Sequence, residues 1–384
     1  MRVGLAIIPV LGSLGLPTRS TTLSLRISLV GCGKAAENHV SQIQQIPDAE
    51  LVAVCDREPI MAEQLAVRYA VRKCYSEYSE MLKRERPDVV HITAPPQTHF
   101  DLASVAFDHG CHVLIEKPAT CSYGETERLL SLAETSGKKL TLAWGHYFDP
   151  IARELREKVK SGTIGEIVHL NSHFGYDLAG PFGAPVLADP DHWVRGLPAQ
   201  VIYNVADHIF NKLCEYLPGA DSSVETVIWP DDCGSSQNEI ASDMRVLIRD
   251  GPITATATFS PRIRPVLHRF EVFGTKGSWA LDFNSGILTT EETARHRGVL
   301  GSLVNGYGKA WRMFKYANRN TLRLTKGQFG YFSGLRFLIR SFYDSILKDS
   351  PVPIPYDLIL KVSRLTERVV LHSRGALCAE KLIA

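Results

Sequence analysis

The first half of the chain alternates short apolar runs with segments whose apolar residues recur every three or four positions. The apolar runs cover residues 25–30, 51–54, 89–93, 112–115 and 139–142. Short apolar runs bounded by turn residues are typical of strands buried on both faces, and the three-to-four spacing is typical of amphipathic helices. Strands that alternate with helices in this way predict an α/β domain built on a doubly wound, parallel Rossmann sheet.

After Trp144 the pattern changes. A helix over residues 151–160 is followed by segments typical of strands, which are joined by turns. These segments cover residues 164–174, 244–248, 253–259, 270–273 and 279–283. One longer helix is predicted over 199–215, inside the same region. We therefore expect a second domain of the α+β class, whose largely antiparallel sheet has helices on one face and an open second face.

The boundaries predicted from these patterns divide the chain into three parts. Residues 1–22 form an extension, 23–148 the dinucleotide-binding Rossmann domain, and 149–384 the α+β domain, to which we assign substrate binding and oligomerisation. In the extension, residues 3–16 are apolar but interrupted by Gly and Pro. This run is too short and too broken to span a bilayer. We expect a disordered or loosely docked segment, and a signal peptide stays open as the alternative.

Composition and charge add little to this picture. Of the 384 residues, 45% are hydrophobic and 22% charged, as in ordinary soluble globular proteins. A net charge of +2 gives no reason to expect a nucleic-acid partner. The eight cysteines are scattered without C-x-x-C spacing, so we expect reduced thiols in a cytoplasmic protein. No cluster has metal-ligand spacing, and we predict no metal.

The first strand runs into a glycine-rich turn, Gly31-Cys32-Gly33-Lys34-Ala35-Ala36, that opens a helix. Two glycines allow a tight turn and close approach of the backbone to a diphosphate, while a small residue at position 36 lets helix and strand pack closely. The diphosphate then lies at the positive end of the helix. This pattern predicts a dinucleotide site.

The residue after the second strand indicates which dinucleotide binds. Asp56 lies twenty residues after Ala36, where a carboxylate can accept hydrogen bonds from both ribose hydroxyls and would repel a 2′-phosphate. NAD is therefore the predicted cofactor. Arg57 keeps NADP open as the alternative, because a guanidinium can bind that phosphate.

Two further strands end in residues that packing does not readily explain. Residues 94–99 read Ala-Pro-Pro-Gln-Thr-His, and two prolines at a strand end make a rigid turn beneath a bound cofactor. The strand over 112–115 ends in Glu116-Lys117-Pro118. Pro118 disfavours helical backbone at Lys117, so the ammonium projects from the sheet edge where ligands of open α/β sheets bind.

Polar residues also occur in and before the helix over 199–215. Asn204 and His208 are four residues apart and share one face. A lone histidine on such a helix is usually a packed core or surface residue, and the helix pattern alone does not make His208 catalytic. The loop before the helix contains Trp193 and Arg195; a tryptophan among polar residues suits a sugar face, and a structured loop with a buried tryptophan is the alternative.

Together these residues resemble the Gfo/Idh/MocA oxidoreductases, which include glucose–fructose oxidoreductase and inositol 2-dehydrogenase. The resemblance covers about residues 25–283. It is carried by GCGKAAENH, by the Asp after the second strand, and by TAPPQTH, EKP, HYFDP and the GTIGEI turn, in that order. The EKP and TAPPQTH segments are specific to the family, whereas the glycine fingerprint alone is not.

The resemblance implies a role for each matching residue. Thr93, Pro95 and His99 correspond to the wall beside the nicotinamide half of the cofactor, and Glu116 and Lys117 to the pair at the nicotinamide and the reacting carbon. With the residues argued above, the predicted cofactor contacts are Gly31, Cys32, Gly33, Lys34, Ala36, Asp56, Arg57, Thr93, Pro95, His99, Glu116 and Lys117. The predicted substrate contacts are Lys117, Tyr147, Trp193, Arg195, Asn204 and His208.

Within this set, Lys117, Asn204 and His208 are the predicted catalytic residues. The family shows D-x-x-x-H, whose His transfers the proton, so His208 matches and Asn204 departs from the Asp. A histidine suits the base role near neutral pH, and Lys117 can stabilise charge that develops on the substrate oxygen. Asn204 can orient a hydroxyl but cannot hold a negative charge. This departure places the usual proton relay in question.

The resemblance implies an NAD(P)-dependent oxidoreductase that transfers a hydride between a sugar, polyol or sugar-nucleotide hydroxyl carbon and nicotinamide. Asn204 leaves two alternatives open: a non-catalytic dinucleotide-binding sensor or scaffold, and an NAD-dependent relative that cleaves glycosides. The implied partners are a small sugar or sugar nucleotide and further copies of the chain, as a homodimer or homotetramer. We expect a cytoplasmic protein.

A basic segment near residues 293–343 lies beyond the family core. It contains no Asp or Glu and has ten basic residues: Arg295, Arg297, Lys309, Arg312, Lys315, Arg319, Arg323, Lys326, Arg336 and Arg340. In its centre, aromatic and basic residues fall on largely opposite faces of a helix. Such a segment suggests weak peripheral contact with an anionic membrane, or cations for a diphosphate substrate. A solvated insertion that packs on the sheet is the alternative.

Overall fold

A computed structural model of the protein describes residues 24–219, 222–230, 240–292, 298–325, 330 and 333–383. The predicted extension over residues 1–22 lies outside these ranges, as do Arg295, Arg297 and Lys326 of the basic segment. Two sheets organise the described part of the chain.

The first sheet is parallel and has the strand order β3-β2-β1-β4-β5-β6. Its strands are β1 (Leu25–Val30), β2 (Ala49–Cys55), β3 (Cys74–Tyr75), β4 (Val89–Ile92), β5 (His112–Ile115) and β6 (Leu140–Leu142). Its helices are α1 (Lys34–Ile43), α2 (Pro59–Tyr69), α3 (Tyr78–Glu85), α4 (His99–Asp108) and α5 (Tyr123–Thr135). Strand β4 is buried along its whole length because helices cover both faces of the sheet. The prediction of a Rossmann sheet is confirmed.

The second sheet has the order β13-β12-β11-β7-β10-β9-β8. Its strands are β7 (Ile167–Gly175), β8 (Ser223–Pro230), β9 (Ala241–Asp250), β10 (Ile253–Ser260), β11 (His268–Gly274), β12 (Gly277–Asp282) and β13 (Ile287–Glu292). Only β7 and β10 pair in parallel; the other neighbours are antiparallel. The prediction of a largely antiparallel sheet is confirmed, although the sequence patterns did not identify the two outer strands, β8 and β13.

The helices of the second half are α6 (Pro150–Lys160), α7 (Ala184–Ala188), α8 (Val201–Cys214), α9 (Gly298–Thr325), α10 (Ser333–Leu347) and α11 (Tyr356–Ile383). Helix α8 packs on β7, β9 and β10, and α11 packs on α8. The other face of the sheet is open: in β8, exposed Val227 and Trp229 alternate with buried Val224 and Ile228. This face is the one that the sequence predicted to be free.

Helix α10 is closely packed against the Rossmann half of the molecule, although it comes late in the chain. Arg336 donates a hydrogen bond from Nε to Oε1 of Gln42 in α1, at 2.8 Å. Near its other end, the carbonyl oxygen of Ser345 accepts from Lys139 Nζ at 2.7 Å. These contacts hold α10 against the first sheet and its helix α1.

Helix α9 contains the centre of the basic segment and directs its arginine side toward the protein. Arg319 pairs with Glu154 at 2.8 Å, Arg312 donates to the carbonyl of Thr290, and Asn320 donates to the carbonyl of Ser285. The expected free basic face is thus partly occupied by intramolecular contacts. The opposite face exposes large apolar side chains, which include Val304, Tyr307, Trp311, Phe314 and Leu322. No helix in the described ranges is long and apolar enough to cross a membrane.

Candidate active site

The glycine-rich turn after β1 packs directly against the end of β4. Gly31 has φ +91°, and a Cβ placed on it would lie 2.5 Å from the backbone nitrogen of Ala94. Thr93 donates a hydrogen bond from Oγ1 to the carbonyl oxygen of Gly31 at 2.5 Å. Only glycine combines this positive φ with such close backbone approach.

The second glycine of the turn leaves space above the start of α1. Gly33 is the N-cap of α1, which has no side-chain cap, and a Cβ on Gly33 would meet nothing within 4 Å. An uncapped helix N-terminus beside open space fits the diphosphate of a dinucleotide. Ala36 is fully buried, as close helix–strand packing requires, and Lys34 is exposed and pairs with Glu37 at 3.3 Å.

The acidic residue after β2 is held in place by backbone donors. Asp56 accepts from the N–H of Cys32 at 2.6 Å and from the N–H of Glu58 at 3.0 Å. These bonds fix the carboxylate next to the glycine-rich turn, so Asp56 can hold the ribose of a dinucleotide whose diphosphate lies over Gly33. The Arg57 side chain is 89% exposed and lies 3.9 Å from Glu58.

His99 joins the two turns that follow β4 and β5. Its Nε2 lies 2.8 Å from the carbonyl oxygen of Ala94, and its Nδ1 lies 3.1 Å from the carbonyl oxygens of both Pro118 and Ala119. The ring is fully buried, and burial lowers the pKa of His99 even though these carbonyls favour the protonated form. In this position His99 holds the Pro95 turn and the Lys117 turn together.

Lys117 connects the Rossmann sheet to α8. It follows β5, and its peptide bond to Pro118 is cis. The ammonium donates to the backbone oxygen of Asn204 at 3.0 Å and to its side-chain Oδ1 at 3.2 Å. The carboxylate of Glu116 accepts from the backbone N–H of Lys117 at 2.9 Å. Residues 87 positions apart thus meet at the carboxyl edge of the sheet.

His208 lies one turn after Asn204 on the same helix and packs among aromatic rings. Its imidazole stacks on Phe174 with the ring centres 5.0 Å apart, and it has an edge contact with His146 at 5.7 Å. Burial lowers the pKa of His208 well below its usual value, and the charge of Lys117 acts in the same direction. The imidazole is therefore neutral at physiological pH, which is the state required of a base.

Behind these residues lies a buried acid that the sequence patterns did not identify. Asp207 accepts a hydrogen bond from Trp144 Nε1 at 2.6 Å. Burial raises the pKa of Asp207 to about 6, against the opposing effects of this hydrogen bond and of Lys117. A carboxylate inside an otherwise apolar stretch of α8 was the available signal, but its side-chain direction requires the structure.

A buried lysine was missed as well. Lys212 donates to the carbonyl oxygen of His208 and lies 3.4 Å from Nε2 of His268. Burial lowers the pKa of Lys212 to about 7. His146 contacts the rings of both His208 and His268, so these three histidines and Lys212 form one cluster of nitrogen-bearing side chains next to α8. Among the described residues there is no group of three or more side chains that could hold a metal ion.

The remaining predicted substrate residues are partly engaged in other contacts. Arg195 donates from Nε to the carbonyl of Val186 at 2.9 Å, and the Trp193 carbonyl accepts from Gln97 at 3.0 Å. Tyr147 is buried, with the guanidinium of Arg156 3.7 Å from its ring centre. Their assignment to substrate contacts stays a prediction.

Part of the chain is similar in sequence to a known protein family. Residues 25–144 match the Gfo/Idh/MocA sequence family, described as an oxidoreductase family with an NAD-binding Rossmann fold. Over 148 residues the chain is 34% identical to D-glucoside 3-dehydrogenase of Escherichia coli, a match that covers 38% of this chain and 42% of that protein. D-xylose 1-dehydrogenase (NADP(+)) 2 of Haloferax volcanii is 30% identical over 168 residues, which cover 44% and 51% of the two chains. The chain thus spans about half or less of these curated relatives.

The similarity in fold extends over both halves of the molecule. The WlbA dehydrogenase of Bordetella pertussis, whose crystal structure contains NADH and UDP-GlcNAcA, superposes with a TM-score of 0.73 at 16% identity. That superposition covers 92% of this chain and 96% of the other. At this identity the likeness shows the architecture alone.

Proposed function

We propose that this chain, which belongs to the Gfo/Idh/MocA oxidoreductases, is an NAD-dependent dehydrogenase that acts on CH–OH groups of sugars, polyols or sugar nucleotides. The main support is the contact between Lys117 at the end of β5 and Asn204 on α8. This contact brings a cation from the dinucleotide domain to a face that also carries the neutral base His208. The names of the relatives support the substrate class.

The side chains of this protein supply the base and the hydrogen-bond donor that the reaction needs, and the cofactor supplies the hydride carrier. A bound nicotinamide would accept or donate the hydride. In the oxidising direction, His208 takes the hydroxyl proton at its imidazole, and Lys117 donates a hydrogen bond to the oxygen as charge develops there. Asn204 holds the Lys117 ammonium through two oxygens, so it replaces the charge of the family Asp by hydrogen bonding alone.

The cofactor assignment rests on Asp56, whose fixed carboxylate favours the two ribose hydroxyls of NAD and repels a 2′-phosphate. The exposed guanidinium of Arg57 is the group that would bind this phosphate if NADP were used. Competition between NADH and NADPH for the purified protein, followed by nicotinamide fluorescence, tests this assignment. Tighter binding of NADPH would contradict it.

Turnover tests the proposed activity. The protein is mixed with NAD and a panel of sugars, inositols and UDP-sugars; NADH is followed by absorbance and products by mass spectrometry, since retained cofactor can recycle. We expect one panel member to be oxidised. Lys117→Met should abolish turnover and leave NADH binding within about threefold, because the lysine acts on the reacting oxygen. Dinucleotide binding without turnover of any panel member would instead favour the sensor or scaffold alternative.

The asparagine at position 204, where the family has an aspartate, allows the sensor and glycoside-cleaving alternatives to be tested separately. If the chain were a sensor that lost the relay, Asn204→Asp would create activity where the wild type has none. If it cleaved glycosides, incubation of a disaccharide with catalytic NAD would release free monosaccharide without accumulation of NADH. Oxidised sugar in stoichiometric amounts with NADH is the result that our proposal requires.

For assembly, we propose that the open sheet face joins subunits in a homodimer or homotetramer. Val227, Trp229 and Leu247 are each at least 43% exposed, on the two outermost strands of that end of the sheet. Light scattering at micromolar concentration tests the assembly, and Trp229→Ser with Leu247→Ser should shift the protein toward monomer. A monomeric wild type would contradict this assignment.

We also propose weak membrane contact by α9 in a cytoplasmic protein, through its exposed aromatic stripe. Trp311 and Phe314 are 57% and 58% exposed, and Lys315 lies beside them with its ammonium 5.4 Å from the Trp311 ring. Aromatic side chains with flanking cations suit the surface of an anionic bilayer. Trp311→Ser with Phe314→Ser should abolish co-sedimentation with anionic vesicles, whereas Lys315→Gln should only weaken it. Equal binding by all three proteins would exclude the idea.

A further inference from the structure

Four side chains from distant parts of the chain form one buried line of hydrogen bonds that ends at the active-site turn. Tyr343 Oη of α10 lies 2.8 Å from Nε2 of His91 in β4. His91 Nδ1 lies 2.8 Å from Nδ1 of His39 in α1, and His39 Nε2 lies 3.1 Å from Oε1 of Glu116. Both histidines are 0% exposed and Tyr343 is 3% exposed. A line of polar groups so deeply buried requires every partner to be satisfied.

The direction of these bonds follows from the charge of Glu116. Burial by itself raises the pKa of Glu116, but the hydrogen bond and the charge contributed by His39, followed by the charge of Lys117, outweigh it, and the net pKa is lowered. An ionised carboxylate can only accept, so His39 Nε2 carries a proton. In the arrangement with one proton on each imidazole, His39 Nδ1 is an acceptor and His91 Nδ1–H donates to it, whereas a doubly protonated His39 would donate from both nitrogens.

The last bond is fixed in the same way. Burial lowers the pKa of His91 well below its usual value, so its ring carries a single proton, which is the one on Nδ1. Its Nε2 is therefore an acceptor, and the Tyr343 hydroxyl donates. All three bonds point from α10 toward Glu116, and no other arrangement with neutral imidazoles satisfies them.

The carboxylate at the end of this line holds the backbone of Lys117. Glu116 accepts the His39 bond on Oε1 and the Lys117 N–H on Oε2. Lys117 in turn reaches Asn204 with its ammonium. A change in the line would therefore rotate or neutralise Glu116 and move the turn that carries Lys117.

We propose that Tyr343, His91 and His39 are positioning residues that keep Glu116 ionised and oriented, and so direct Lys117 at the substrate oxygen. Through Tyr343, α10 contributes to the active site without touching substrate or cofactor. This inference rests on the proposed function for its kinetic consequence, but its hydrogen-bond arrangement can be measured on the protein alone.

The first test is the histidine tautomers. In the full-length protein labelled with ¹⁵N-histidine, we expect His39 with its proton on Nε2 and a bare Nδ1, and His91 with its proton on Nδ1 and a bare Nε2. Assignment uses His39→Gln and His91→Gln. A doubly protonated His39, or His91 with its proton on Nε2, would overturn the proposal whether or not the protein turns over sugar.

The second test compares two tyrosines. Tyr343→Phe removes the donor to His91, and Tyr356→Phe removes a matched hydrogen bond, at 2.9 Å, between another C-terminal helix and Leu140 of the first sheet. We expect Tyr343→Phe to lower kcat about tenfold, the size expected for a slightly displaced catalytic group, with the KM for NAD unchanged. Tyr356→Phe should leave kcat at the wild-type value. Equal kcat values for the two variants would refute the positioning role.

Rescue by a conservative substitution completes the design. His39→Leu should lower kcat at least as much as Tyr343→Phe, whereas His39→Gln, whose amide N–H can replace Nε2–H, should recover most of it. If the wild type has no turnover, the ¹³C signal of reductively methylated Lys117 serves instead. That signal should shift in Tyr343→Phe and not in Tyr356→Phe, and identical signals would contradict the proposal independently of the enzyme activity.

Discussion

Alanine at either glycine of the β1–α1 turn should be harmful, but for different reasons. Gly31→Ala should lower the stability of the fold, whereas Gly33→Ala should lower the affinity for the cofactor. In Gly31→Ala the new Cβ lies 2.5 Å from the Ala94 nitrogen and 2.7 Å from the Thr93 carbonyl carbon, at φ +91°. A left-handed backbone at a residue other than glycine costs about 1–3 kcal/mol, and overpacking against rigid backbone costs about 1–3 kcal/mol more. We therefore expect the Rossmann half to lose roughly 3 kcal/mol or more without any ligand.

Gly33→Ala is the matched control because its Cβ meets nothing within 4 Å and its φ is −75°. In the absence of dinucleotide, alanine makes the unfolded chain less flexible, which stabilises the folded protein by about 0.4–1 kcal/mol. Alanine is also a poorer N-cap than glycine, and this loss of stability roughly offsets the gain. With NADH, however, the methyl group occupies the space above the helix N-terminus. Binding should weaken by about tenfold or more, since about 1.4 kcal/mol of lost contact already gives that factor.

Two measurements distinguish these effects. Thermal unfolding of the ligand-free proteins should show Gly31→Ala lower by roughly 10 °C, from about 3 kcal/mol at 3–4 °C per kcal/mol, and Gly33→Ala within about 2 °C of wild type by the same conversion. Titration with NADH then gives the affinities. A ligand-free Gly31→Ala protein that melts with the wild type would refute the packing argument, and unchanged NADH affinity in Gly33→Ala would refute the proposed diphosphate position.

Three further outcomes are expected. Asp56→Asn loses the charge and keeps an acceptor for only one of the Cys32 and Glu58 amides, so the ratio of NADPH to NADH affinity should rise about tenfold, and an unchanged ratio would contradict the ribose assignment. For Asp207, whose pKa is raised from 3.8 to about 6, stability should be full below pH 4 and fall by on the order of 3 kcal/mol as pH rises to 6; denaturant unfolding of Asp207→Asn should lack this step. For Lys212, whose pKa is lowered from 10.5 to about 7, stability should fall as pH drops from 10 toward 7; Lys212→Met should lack that loss, and a retained slope would show that other groups cause it.

The Rossmann half was predictable because its signals are local. Strand β5 was expected over 112–115, and the structure has it with those bounds. A fully buried parallel strand needs a continuous apolar run, and a helix that begins at Pro59 carries its own start signal. The parallel pairing of the strands followed from the alternation of strand and helix.

The site was predictable only in part, because a sequence motif gives the residue type but not its neighbours. Lys117 and His208 could be named from motifs, and their link through Asn204 needed the fold to join residues 87 positions apart. His39 was visible in the fingerprint segment, but its partner His91 looked like one more position in a buried strand. A histidine in such a strand is informative only when its hydrogen-bond partner is known.

The amphipathic helix α9 shows why an amphipathic pattern does not decide which face is exposed. A basic face opposite an aromatic face is usually read with the cations in water. Here Glu154 and the carbonyls at Thr290 and Ser285 offer acceptors on the protein surface, and Arg319, Arg312 and Asn320 bind them. Arginine can satisfy several such acceptors at once with its fixed fork of donors. Trp311 and Phe314 are therefore exposed to solvent. The face of α9 that lacks a partner in the described part of the structure is thus its apolar face. For this reason the decisive membrane variant removes Trp311 and Phe314 rather than the arginines.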